Sequence, residues 1–191
     1  MTIGVLALQG DFEAHAGVLA GLGAEARIVR TPADLKLKGL DGLIIPGGES
    51  TTMMLGLERE ELAEPLRDLV ASGTPTLATC AGLIVLDREH LDVLDLTTRR
   101  NAFGRQVRSF ETDLELGSIG GGPLRAVFIR APWVEEHGSD VEVLAEVDGH
   151  PVAIVQGNVL AVAFHPELTT DGRLHRWLLD AIGAPAVREA A

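Results

Sequence analysis

Cys80 is the single cysteine among 191 residues, and its neighbours set it at a strand-to-helix corner. Thr74–Thr79 reads as a short buried strand and Ala81–Leu86 as the opening of a helix. A thiol at such a corner projects from the carboxyl end of the strand. It lies beside the free N–H groups of the following helix, which favour the thiolate and can hold an oxyanion formed on a bound carbonyl. This is the position of a nucleophile elbow, with Cys in place of Ser. On its own, a lone cysteine is more often a small buried hydrophobe.

A nucleophile also needs a base, and the base needs a group behind it. His165-Pro166-Glu167 follows the strand-like run Val159–Phe164, so His165 stands at a strand end as Cys80 does. In an open α/β sheet the carboxyl ends of strands gather into one site. Pro166, fixed at φ, can turn Glu167 onto the imidazole from behind and set its tautomer. On its own the stretch reads more readily as a surface histidine, a loop stop and a solvated carboxylate. Together with the elbow they read as catalysis. A third strand end carries Pro46-Gly47-Gly48-Glu49-Ser50-Thr51. Paired glycines let backbone N–H groups approach a ligand and supply an oxyanion donor opposite the Ala81 amide. Ser50 or Thr51 is the expected cap of the next helix.

The elements that must position these groups alternate. Ile3–Leu8 is strand-like, and Asp11–Leu22 is a helix with Phe12, His15, Ala16 and Leu19 at helical spacing. Ala24–Val29 and Gly42–Ile45 are strands, a helix starts near Thr51, and Glu60–Ala71 continues helical. Such alternation predicts an α/β fold, a mostly parallel sheet flanked by helices in three layers. The second half has another rhythm. Val107–Leu116, Arg125–Arg130, Val141–Val147, Pro151–Gln156 and Val159–Phe164 read as strands, with hairpin signals at Asp148-Gly149 and Gly157-Asn158. This half is expected to add antiparallel strands. Asp171–Ile182 is a closing helix. The Gly117–Gly122 loop lacks the spacing and Lys of a P-loop and reads as a flexible turn. A single domain spanning 1–191 is expected, with 184–191 a frayed tail.

Hydrophobic residues make up 46% and charged residues 23%, an ordinary globular balance. A net charge of −12 disfavours nucleic acid. One cysteine excludes an internal disulfide and fits a reducing cytoplasm. The N-terminus reads as a first strand rather than a signal peptide, no apolar run reaches membrane-span length, and no His/Cys cluster has metal-ligand spacing.

Several stretches, in order from the first strand to the last helix, resemble the class I (triad) glutamine amidotransferase family. Within it they are most similar to the branch of glutaminase subunits of pyridoxal 5′-phosphate synthase. They are Gly4–Phe12, Ile45–Thr52, Thr79–Ile84, Asn101-Ala102-Phe103-Gly104-Arg105-Gln106, Phe128–Pro132 and Phe164–Thr169. The resemblance implies a Cys80, His165, Glu167 triad that hydrolyses L-glutamine through a thioester. It implies glutamine binding by Gly47, Gly48, Glu49, Arg100, Ile129 and Arg130, with an oxyanion hole at Gly47, Gly48 and Ala81. Arg100 suits the substrate carboxylate, Glu49 a polar or cationic group, and Ile129 can act only through its backbone. It further implies no metal or cofactor, and a hetero-oligomeric complex whose synthase subunit receives the ammonia. Gln9, Gly10, Asn101, Arg105 and Gln106 are the expected docking or coupling residues, and a flip of the Gly47-Gly48 peptide the expected switch. The chain departs from the family pattern at Ala78, where a Gly is usual, and in a shortened 87–100 segment. Another amidotransferase branch, a γ-glutamyl hydrolase, and a non-catalytic partner-binding module of the same fold are the alternatives.

Overall fold

The computed structural model describes residues 1–36, 39–104 and 109–183. Its first half runs β1 (Thr2–Leu6), α1 (Phe12–Gly21), β2 (Glu25–Val29), α2 (Pro32–Lys36), β3 (Gly42–Ile45), α3 (Ser50–Arg59), α4 (Ala63–Ala71), β4 (Thr76–Thr79) and α5 (Ala81–Leu86). The second half runs β5 (Leu96–Arg99), β6 (Ser109–Leu114), β7 (Leu124–Ile129), β8 (Trp133–His137), β9 (Glu142–Val147), β10 (His150–Gln156), β11 (Val159–Val162) and α6 (Arg173–Gly183).

Seven strands form the main sheet in the order β2-β1-β3-β4-β11-β10-β9. The first five in that order pair parallel, whereas β10 joins β11 and β9 antiparallel. β3, β4 and β11 are buried at every residue, as strands covered on both faces must be. Leu43, Ile44, Ile45, Leu77, Leu160 and Val162 lie in this core. α1 and α6 meet at one end through His15 and His175, while α3 packs on α4 and α5.

The expected α/β alternation holds, with three differences. Only β9 and β10 extend the sheet antiparallel: β5–β8 and β6–β7 form two separate two-stranded sheets. Alternation along one strand is the same in a separate pair as in an extension of the main sheet, so it could not tell the two arrangements apart. β5 and β8 themselves were not anticipated. The expected helix at Glu60–Ala71 starts at Ala63, because Glu61 takes φ 55° and breaks the run after α3. Both hairpin signals close hairpins: Asp148 and Gly149 each have positive φ between β9 and β10, and Gly157 does so between β10 and β11. The Gly117–Gly122 loop is held by Arg173, whose guanidinium donates to Gly120 O at 3.0 Å and Gly122 O at 2.6 Å. Residues 107 and 108 of the expected Val107–Leu116 strand and the expected 184–191 tail lie outside the described residues.

Candidate active site

β4 ends at Thr79, and the chain turns sharply at Cys80, with φ 47° and ψ −103°, into α5. That backbone conformation is rare for a residue with a Cβ and marks an elbow held by its surroundings. The Cys80 N–H donates to Val162 O at 2.8 Å, tying the corner to β11. A Cβ at Gly82 would collide with the Ile45 carbonyl, so glycine lets α5 start directly against β3. Ala78, the departure noted above, is fully buried within β4, opposite Ile45 and Ala161. Its methyl lies in the core, two residues before the turn at Cys80.

β11 gives out at Val162, and Phe164 leads to His165 and the 3₁₀ turn Pro166–Leu168. The turn brings Glu167 under the imidazole: His165 Nδ1–H donates to Glu167 Oε1 at 2.7 Å. The Glu167 side chain is completely buried, and that of His165, which lines the pocket, is 12% exposed. Burial opposes a charge on His165. Its hydrogen bonds and charge interactions with Cys80 and Glu167 outweigh that, and its pKa is pushed up to about 10. Cys80, His165, Ala81, Gly48, Glu49, Arg100, Asn101, Ile129 and Arg130 all line one cavity of about 390 Å³. A neighbouring cavity of about 990 Å³ shares Arg100, Asn101, Ile129 and Arg130 with it.

Gly47 packs against both Cys80 and His165. A Cβ there would strike the His165 ring and come within 3.2 Å of Cys80 Cβ. The Gly47 carbonyl faces Gly10, which has φ 98° and no room for a Cβ. The Gln9 side-chain oxygen accepts from the Glu49 N–H. The Gly47-Gly48 turn is therefore gripped by the Gln9-Gly10 pair after β1. Glu49, not Ser50 or Thr51, caps α3: its carboxylate accepts from Thr51 N at 3.2 Å, Thr52 N at 2.8 Å and Thr52 Oγ1 at 2.8 Å. The longer carboxylate reaches donors two and three residues on, which the Ser50 hydroxyl, itself already in the helix, cannot. The Thr52 hydroxyl and N–H lower its pKa to about 2. Arg100 donates to Glu49 Oε1 at 2.7 Å and to Thr51 Oγ1 at 2.9 Å. The shortened 87–100 segment thus still delivers Arg100 to the pocket, by way of β5.

Asn101 and Arg130 have φ of 48° and 45°, and the Ala102 N–H bonds Ala131 O at 3.0 Å, which joins the two stretches at the rim. Arg105 and Gln106 lie outside the described residues. In the sequence His15 is one position of the α1 stripe. In the structure it is buried against Glu167, with Nε2 3.3 Å from Oε2. No local pattern signals this, because the partner is supplied by the far end of the chain. Among the described residues no group of three or more His, Cys, Asp or Glu could hold a metal ion, and no helix is long and apolar enough to cross a membrane.

Residues 5–183 match the model of the SNO glutamine amidotransferase family. A pyridoxal 5′-phosphate synthase subunit PdxT of Mycobacteroides abscessus is 52% identical over 191 residues, covering 95% of this chain and 97% of that protein. The PdxT of Thermotoga maritima is 49% identical over 189 residues, covering 95% of this chain and all of its own length. A crystal structure of a glutamine amidotransferase superposes with TM-score 0.87 at 46% identity, covering 95% of this chain and 99% of that one. The PurLQS structure from Thermotoga maritima shares the fold at TM-score 0.71 and 17% identity, covering 94% of this chain and 97% of that one.

Proposed function

The chain belongs to the SNO glutamine amidotransferase family, and from that premise we infer that Cys80, His165 and Glu167 are the catalytic triad of a glutaminase. The protein is the glutaminase subunit of a pyridoxal 5′-phosphate synthase: it hydrolyses L-glutamine to L-glutamate and ammonia, and the ammonia passes to a synthase subunit. The observation that carries the triad is the 2.7 Å bond from His165 to a buried Glu167, behind a lone cysteine on a strained elbow.

The Cys80 thiolate attacks the side-chain amide carbon of glutamine. The negative oxygen that develops is met by the Ala81 N–H, which lacks a helical partner, and by an N–H of the Gly47-Gly48 turn. The carbon–nitrogen bond breaks as His165 gives its proton to the departing ammonia, leaving a γ-glutamyl thioester. Acylation removes the sulfur's charge, and with it part of what raised the His165 pKa. The same ring then falls toward the range in which it can take a proton from water. Water adds to the thioester, the carbon–sulfur bond breaks, and glutamate leaves with the thiolate restored. Arg100 receives the substrate's α-carboxylate, Glu49 its ammonium group, and the Ile129 and Arg130 backbone lines the far wall.

Gln9 and Gly10 are the proposed coupling residues. A partner subunit pressing on them acts directly on the Gly47-Gly48 turn they grip, and Asn101 stands at the rim of the same opening. The test is glutamate release from glutamine, measured with the chain alone and with its synthase subunit. Wild type is expected to release glutamate in the complex and Cys80→Ala to release none. Turnover by Cys80→Ala would remove the nucleophile from this reading, and a wild-type complex without turnover would remove the reading itself.

A further inference from the structure

Behind Glu167 the molecule buries two imidazoles that the triad does not use. His15 on α1 and His175 on α6 are both fully buried. Their rings meet with His15 Nδ1 2.9 Å from His175 Nε2. The other nitrogen of His15, Nε2, points toward the triad. It lies 3.3 Å from Glu167 Oε2 and 3.3 Å from the hydroxyl of Thr79, the residue before Cys80. A line of polar atoms therefore runs from α6 through α1 to Glu167, His165 and the thiol.

The protons along this line can be assigned. Only one fits between the two facing imidazole nitrogens. If it sat on His15 Nδ1, the Nε2 lone pair would face a carboxylate oxygen that has no other donor among the described residues. His175 Nδ1, which has no partner among them either, would be a buried orphan N–H. Both faults are costly. If the proton sits on His175 Nε2, both disappear. His15 Nδ1 accepts it, His15 Nε2–H faces Oε2 and the Thr79 hydroxyl, and His175 Nδ1 is only an unused acceptor. The 3.3 Å approach to Oε2 is off the ideal hydrogen-bond line, so its attraction is mainly that of an N–H dipole for a carboxylate in a low dielectric. Burial first, then the neighbouring His175 and His165, holds the His15 pKa well below its ordinary value. The ring is therefore neutral and cannot satisfy both neighbours by taking a second proton.

We propose that His15 is a positioning residue for Glu167, and that His175 selects the His15 tautomer that allows it. With Nε2–H facing Oε2, the carboxylate is steadied from behind and Oε1 stays on His165. Without it, Oε2 is a buried charge that has lost the N–H dipole facing it. Glu167 then turns toward another donor or takes a proton, and His165 loses its orientation.

The proposal rests on the triad reading, so one arm of its test does not involve catalysis. Nitrogen-15 NMR of the ring nitrogens in the folded chain near neutral pH is expected to show His15 and His175 each protonated at Nε2 and bare at Nδ1. Assignment comes from the signals lost in His15→Gln and His175→Gln. Protonation of His15 at Nδ1 overturns the proposal whatever the triad does. The kinetic arm measures glutamate release in the complex with the synthase subunit. His15→Leu is expected to lose about tenfold or more in kcat, as removal of groups that orient a reacting residue commonly does. KM for glutamine should stay within about twofold. His15→Gln, whose amide N–H reaches the same point, is expected to recover most of the rate. Equal loss in the two variants, or none in His15→Leu, overturns the proposal. If His15→Leu does not fold, the ring-nitrogen spectrum and the rate of His15→Gln decide. An active Cys80→Ala would fault the triad instead and leave the spectrum standing.

Discussion

Glu49 serves several partners at once. Its carboxylate caps α3 through the N–H groups of Thr51 and Thr52, and it receives the Arg100 guanidinium. Its own N–H is held by Gln9. A glutamine carboxylate that takes Arg100 must therefore compete with Glu49 and with the Thr51 hydroxyl. The Glu49–Arg100 pair is about half exposed on both sides, so it adds little to folding. A charge-assisted bond to substrate is worth about 1.5–3 kcal/mol, or roughly ten- to a hundredfold in affinity. Arg100→Ala is accordingly expected to raise KM for glutamine by that factor while changing stability by less than about 1 kcal/mol. Glutamine titration and denaturant unfolding measure the two effects, and an unchanged KM would take Arg100 out of the carboxylate site.

At the scale of elements, the elbow depends on how closely α5 approaches β3. Gly82→Ala puts a methyl against the Ile45 carbonyl, a contact that backbone cannot relieve cheaply. It is expected to cost about 1–3 kcal/mol of stability and to lower kcat more than it changes KM, because Cys80 moves with the corner. Urea unfolding and steady-state kinetics check it, and a fully active, fully stable variant would show that the contact is not needed. This corner was legible in the sequence for a simple reason. Cys80, His165 and the Gly47-Gly48 turn each follow a short strand-like run that ends abruptly, and strand ends in a parallel sheet converge. The β5–β8 pair was not legible. Thr97, Thr98 and Arg99 carry no apolar alternation, and their partners Glu136, Val134 and Trp133 stand opposite them across a register shift. Pairing there is set by tertiary contact, not by local pattern. His15 was visible as a helical position, but its meaning depends on His175, which reaches it only once α6 has docked.

On the scale of the whole molecule, the His15–His175 contact joins the first helix to the last, and its charge state follows pH. Burial holds His175 at a pKa of about 4 in the folded chain, against about 6.5 when unfolded. Between those values the unfolded chain binds more protons, so stability is full above about pH 6.5 and falls as pH drops toward 4. The loss from this group is about 3 kcal/mol, and His15 adds to it with the same sign. His165 acts in the opposite direction: its contribution is complete below about pH 6.5 and is lost as pH rises through about 10. Unfolding free energy measured by urea from pH 7 to pH 4.5 should therefore fall less steeply in His175→Met than in wild type. Identical slopes would remove the buried pair as the cause. The distribution of left-handed backbone has its own consequence. Of the six non-glycine residues with positive φ among the described residues, Cys80, Asn101 and Arg130 line one cavity. Glycine would relieve about 1 kcal/mol or more at such a position. Selection for heat resistance alone would therefore draw substitutions to the lining of the pocket, where each gain is taken from the side chains that shape it.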